Sequence, residues 1–391
     1  MPIALLALIL AAPIAAASPL SPPEQAITIT GTRLKDYAAA VDACIAASCS
    51  PKRDIVVSIR YAEAQFRSGD YVGARAVLAK AVRRQAGAGN VEPVALSQLY
   101  LAQANVAAHY GEQRDVRAAT YASARVTHEF LPAGSPDRLW ADLRVADLRL
   151  ANDRRDGFSA YRKVAAEARA AGQPSIAVSA DLHWAWALHK TKLDSEALRL
   201  LAELAATPGD DARPYRLVAR VLTARIARDR GDKAAIDAVL RDIAAEPDPG
   251  QPLLVYSPPF PQPTDPFYRD PFEIPVDRVG KSSDFIGLQW VDIGFGIAAD
   301  GSVDKPEVLR SSRSSTWAAP LVKMIGGRRY TPSAATLGDD APGHYRIERY
   351  TLTADFSVPV GSLVRRRSRE PHYEQLDLTD GNVAAPEHAP S

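Results

Sequence analysis

The sequence predicts a multidomain chain, with an all-α helical-repeat solenoid over residues 34–245 followed by a small α+β unit over 285–360. Three observations predict it. Small residues recur at helical spacing around Gly-Asp turns through the first two-thirds of the chain. From Val291 the pattern changes to alternation, with Val291, Ile293, Phe295 and Ile297 on one side of a strand. Between the two, residues 247–275 hold ten prolines in 29 positions, which removes amide donors and disfavours helix.

The 391 residues carry 47 basic and 46 acidic side chains, a formal net charge of +1. A balance so close to zero indicates no nucleic-acid partner and no charged membrane surface. Residues 1–17, MPIALLALILAAPIAAA, form an uncharged apolar run ending in Ala15-Ala16-Ala17, which reads as a signal peptide cleaved before Ser18. The run reaches only Leu20 and is broken by Pro13 and Pro19, whereas a bilayer span needs about 20 apolar residues. Membrane contact is therefore expected only if this segment stays uncleaved. Export implies the periplasm of a Gram-negative-type envelope.

Residues 18–33 read as an extended segment in which ITITGTR, Ile27–Arg33, alternates apolar residues with Thr. From Leu34 the pattern turns helical. Cys44 and Cys49 are the only cysteines, and an oxidising compartment lets such a pair form a disulfide. Five positions along an unbroken helix rise about 7.5 Å, so the bridge requires the helix to end near 46–48. Ser50-Pro51 supplies that stop.

Residues 60–84, RYAEAQFRSGDYVGARAVLAKAVRR, are the clearest repeat unit. Ala62 and Phe66 lie on one helix, Gly69-Asp70-Tyr71 makes the turn, and Ala74, Leu78 and Ala81 line a second helix. Small residues at 62 and 74 let two helices cross closely. In its turn and small-residue positions this unit resembles the tetratricopeptide repeat. Weaker copies follow at 181–210, with Ala185, Ala197 and Leu201, and at 222–243, with Gly231-Asp232. Residues 117–148 resemble a longer subclass of about 42 residues per repeat. The second-helix alanines Ala74, Ala118, Ala160 and Ala197 are spaced 44, 42 and 37 apart. Residues 246–284 are a Pro-rich connector whose aromatics, among them Tyr256 and Phe260, argue for packing against a neighbouring unit.

In the C-terminal unit, Leu288–Ile297 reads as a strand, Ala299–Ser302 as a turn, and Val303–Ser311 as a second strand with Pro306 marking a bulge or edge. A short helix follows within 314–327, and Tyr350, Leu352, Ala354, Phe356 and Val358 give a period-two face on a final strand. The alternating VDIGFGI, DGSVDKPEVLRSS at 300–312, the helix and Arg329-Tyr330-Thr331-Pro332, in that order, resemble the C-terminal domain of the TonB energy-transducer family. The family's signature before the first strand is replaced here by RVGKSSDFIG. The resemblance implies a fold that takes a partner peptide as an added strand, and it implies components of TonB-dependent transport among the envelope partners. ITITGTR likewise resembles a stretch near the mature N-termini of TonB-dependent receptors, and such a stretch can add as a strand to this sheet. The final strand is the expected edge, with Arg349, Thr351, Thr353 and Asp355 off its apolar face as the partner-binding positions. Residues 361–391 read as a disordered tail that includes the basic run RRRSR at 365–369.

No catalytic constellation, cofactor loop or metal motif emerges. Asp300, Ser302, Asp304 and Glu307 are too closely spaced for a calcium loop, and Asp-Gly signals a turn. In HWAWALH, His183 and His189 lie about 120° apart on a helix, and the tryptophans read as core. The expected function is a non-enzymatic periplasmic interaction protein with no cofactor, its repeats binding one envelope partner and its sheet a second. The alternative is an envelope or peptidoglycan-associated scaffold whose sheet only stabilises or dimerises.

Overall fold

The computed structural model describes residues 33–209, 212–244, 252–261, 289–312, 315–331, 344–357 and 366–379. The first part is helical throughout. After α1 (Leu34–Ala46) come five antiparallel hairpins: α2 (Pro51–Arg67) with α3 (Tyr71–Gln85), α4 (Pro93–Tyr110) with α5 (Gln113–Phe130), α6 (Pro136–Asn152) with α7 (Arg154–Ala170), α8 (Pro174–Lys190) with α9 (Asp194–Ala205), and α10 (Arg213–Asp229) with α11 (Lys233–Ala244). Every first helix opens with proline in its first two positions, at 51, 93, 136, 174 and 214. Proline is tolerated there because those amides have no intrahelical acceptor and φ is already set for helix.

The second helices start at Tyr71, Gln113, Arg154, Asp194 and Lys233, at intervals of 42, 41, 40 and 39. This is steadier than the alanine series predicts. Ala118 is exposed and Ala160 only half-buried; the residues equivalent to Ala74, fourth in each second helix, are Val116, Gly157, Ala197 and Ile236. The packing residues of the first hairpin, Ala62, Phe66, Tyr71, Ala74, Leu78 and Ala81, share one core with Ile55, Leu96 and Leu99, and Gly69 makes the turn at φ +88°. Ala185, Ala197 and Leu201 are fully buried together further along.

Cys44 and Cys49 form a disulfide across the end of α1, with Cα atoms 5.1 Å apart, and Ser48 at φ +48° reverses the chain. Ser50 then caps α2 by accepting from the amide of Arg53. Replacing both cysteines with serine frees a short loop, which loop-closure entropy puts at about 2 kcal/mol. A urea titration should show that loss, with exchange protection falling first in α1.

The second part is β1 (Leu254–Tyr256), β2 (Gln289–Ile297), β3 (Val303–Ser311), α12 (Ala319–Gly326), β4 (Arg329–Tyr330), β5 (His344–Ser357) and β6 (Arg366–Asp377). The main sheet is antiparallel in the order β3-β2-β5-β6, and β1 pairs with β4 separately. Asp300 accepts from the amide and hydroxyl of Ser302, closing the β2–β3 turn. Val291, Ile293, Phe295, Ile297, Tyr350 and Leu352 form one face, covered by Trp317, Leu321 and Ile325.

Three expectations are corrected. The strand carrying Arg349, Thr351, Thr353 and Asp355 is β5, which is interior, paired with β2 on one side and β6 on the other. Residues 366–377 of the expected disordered tail are strand β6. It is held as an edge strand by main-chain pairing to β5, with Tyr373 and Leu376 packed against the sheet and first-hairpin cores. The sheet region therefore exceeds 285–360 at both ends, because the described part of the connector supplies β1, with Val255 buried against Leu217 and Val221 of α10. The signal segment at 1–17, all of 18–33 but Arg33, and residues 380–391 lie outside the described residues.

Candidate functional site: the solenoid–sheet interface

The second face of β5 is polar in sequence yet buried. Arg349 and Asp292, opposite each other on β5 and β2, are both fully buried. Arg349 donates to both Asp292 oxygens at 2.6 and 3.0 Å, and to the carbonyls of Phe66 and Arg67 at 2.6 and 2.7 Å. Those carbonyls lie at the C-terminus of α2, where four acceptors lack intrahelical donors and the helix dipole is negative. One guanidinium therefore neutralises a buried carboxylate and caps a helix 282 residues away in sequence. Arg310 of β3 adds a third charge, donating to Asp292 at 2.9 Å.

Trp290 lies under Arg349, with its ring 4.0 Å from the guanidinium carbon, and belongs to the core of the first hairpin. It packs on Gly69, where an added Cβ would stand 2.4 Å from the indole nitrogen. Thr351 meets the Tyr71 hydroxyl at 3.0 Å, and burial pushes that phenol's pKa up. Thr353 is buried over the turn after α4, where the carbonyl of Gly111 accepts from the amide of Phe356 at 3.0 Å. Asp355 is half-buried, and one of its carboxylate oxygens has no hydrogen-bond partner among the described residues. All four predicted partner positions thus lie against or beside the chain's own helices.

A second contact engages the last hairpin. Arg225 and Arg228 of α10 donate to the carbonyls of Leu254 and Ser257, at 2.6 and 3.1 Å, and Arg346 of β5 donates to that of Pro252 at 2.7 Å. Burial, then the neighbouring Arg228 charge, lowers the Arg225 pKa to about 10. Next to it Arg328 is buried and donates to Glu348 at 2.8 Å and to the Tyr350 hydroxyl at 2.6 Å. Burial opposes its charge, but Glu348 and the two tyrosine hydroxyls outweigh that and raise its pKa overall. Burial, reinforced by Glu348, pushes Tyr330 up to about 12. The sheet is therefore attached at both ends of the repeat array, to α2–α4 and to α10. Sequence reasoning missed Arg225 and Arg228 because their partners across the contact are backbone carbonyls, which carry no residue signature.

The two histidines of HWAWALH serve different neighbours. His183 meets Asp147, which also accepts from the Tyr161 hydroxyl, while His189 stands between Asp194 and Asp229. Trp184 and Trp186 are half-buried beside the core between α8 and α9. Among the described residues no group of three side chains could hold a metal ion.

No protein-family model and no curated protein matches the chain. Among solved structures, it is similar to the nearly identical TPR-like repeats of a candidate kinesin light chain of Podosopora anserina. The identity is 19% and the TM-score 0.40, over 49% of this chain and 93% of that one. It is also similar to BtubC from P. vanneervenii, at 13% identity and a TM-score of 0.44, over 56% of this chain and 94% of that one.

Proposed function

We propose that the chain is a non-enzymatic protein-interaction scaffold of the bacterial envelope, in which the helical repeats carry the partner surface and the C-terminal sheet is their buttress. The observation that carries this reading is the burial of β5's polar face on α2 and α4 through Arg349. Once that face is occupied, the positions expected to receive a partner strand are no longer available. Of the sheet's two outer strands, β3 and β6, β3 is blunted by Pro306, a positive φ at Lys305 and two register shifts. Stacked helical hairpins instead present a long surface suited to a protein ligand. The apolar N-terminal run and the Cys44–Cys49 bridge support export. The TonB-like motif order supports envelope partners, including components of TonB-dependent transport.

Photo-crosslinking of the intact chain in cells tests this, with probes at exposed Val56, Tyr121 and Arg144 on helices and at Glu307 on β3. Helix positions should capture an envelope protein and Glu307 should not. Capture from Glu307 alone would revive strand addition. The same mass spectra should show a chain beginning at Ser18 with 44 and 49 oxidised; reduced cysteines in a cytosolic chain would remove the envelope assignment.

A further inference from the structure

His109, on the last turn of α4, sits inside the solenoid–sheet interface. Its ring is buried, and Nδ1 has no hydrogen-bond partner among the described residues. Phe66 of α2 stands edge-on at 4.9 Å, and Tyr71 of α3 lies parallel at 6.5 Å. The charged groups acting on the ring from the sheet are Arg349 of β5, paired with Asp292 of β2, and Glu374 of β6. Glu374 is itself engaged by His372, and Glu112, just past α4, faces Arg75 at 3.7 Å. The ring therefore has an aromatic box, a shared carboxylate that favours its charged form and a fixed cation that opposes it, and burial outweighs the carboxylate. A neutral imidazole fits that environment and an imidazolium does not.

We propose that His109 makes the docking of the sheet onto the first two helical hairpins sensitive to acid, because a proton taken up there puts a charge into a buried, largely aromatic surround that solvates it poorly, and the sheet is released. Burial holds the docked ring's pKa down at about 4, against 6.5 for an ordinary histidine. The sign follows from linkage. A group whose folded pKa is depressed and whose charged form is the protonated one leaves docking unaffected above pH 6.5. Docking weakens as pH falls from 6.5 towards 4, and changes no further below that. At pH 4.5 the ratio of docked to released sheet drops about 80-fold if the released ring titrates normally. An exported chain would meet such acidity directly, since small solutes equilibrate across outer envelopes.

The test uses the full chain with a donor and acceptor dye on Val72→Cys in α3 and Glu307→Cys in β3, both exposed, the native disulfide being left oxidised. Energy transfer should fall between pH 6.5 and 4 while helical circular dichroism holds. His109→Gln should abolish that fall, and His372→Gln should retain it. Identical curves for the parent and H109Q, or a fall lost in H372Q instead, would overturn the proposal, as would helicity lost in step with transfer. If H109Q does not fold at neutral pH, the parent chain decides the matter through the His109 ring resonance, assigned by its contacts with Phe66 and Tyr71. Titration near 4, tracking the change in transfer, supports the proposal; titration near 6.5 with transfer unchanged refutes it.

Discussion

Asp292→Ala is expected to destabilise the docked sheet by about 3–5 kcal/mol, the cost of removing one partner of a buried ion pair. It leaves the Arg349 guanidinium fully buried with only the Phe66 and Arg67 carbonyls as acceptors. Arg349→Met should cost less, because Arg310 still neutralises Asp292 from the solvent side. The double replacement Asp292→Leu with Arg349→Met should recover part of the Asp292→Ala loss, since apolar side chains of similar volume often replace a buried pair without penalty. It cannot recover all of it, because the α2 carbonyls lose their donor. Two probes are needed because solenoid and sheet need not unfold together. Far-ultraviolet dichroism follows the helices, and exchange at 344–357 follows the sheet. A loss equal in both single variants, or no loss in exchange protection, would remove the pair from the docking.

The same pair explains what the sequence shows and what it conceals. The β2–β3 hairpin is legible because Asp300-Gly301 is a local turn signal and the strands alternate on either side. The final strand is legible as a strand for the same reason, through Tyr350, Leu352 and Ala354. Its environment is not. Alternation of apolar with polar residues ordinarily marks one wet face. Here the polar residues cover helix ends, where donors such as Arg349 satisfy carbonyls that apolar side chains could not. A polar face can therefore be a buried face, and only the fold reveals which. Strand β6 is hidden for a related reason, since an edge strand held by main-chain bonds needs little hydrophobicity. The repeat register, by contrast, is written in the sequence. Prolines at 51, 93, 136, 174 and 214 mark the starts of the first helices, a stronger signal than the alanines, which serve several packing roles at once.

Gly111→Ala is expected to cost about 2–4 kcal/mol, combining a left-handed backbone of about 1–2 kcal/mol with an overpacked contact. Gly111 has φ +81°, and an added Cβ would stand 2.4 Å from the carbonyl oxygen of Ala354, a main-chain atom within the β5–β6 ladder. It cannot yield without breaking strand pairing or pushing β5 off the α4 turn. Two other glycines separate the contributions. Gly172 has φ +68° and nothing within 4 Å of its added Cβ, so Gly172→Ala should carry only the conformational cost, about 1 kcal/mol. At Gly69 the neighbour is the Trp290 side chain, which can turn aside, so Gly69→Ala should fall between the two. Chemical denaturation of the three variants measures the order Gly111, Gly69, Gly172. If Gly111→Ala and Gly172→Ala were equal, the turn after α4 would not bear on β5, and the sheet would be held at the first hairpin by Arg349 and Trp290 alone.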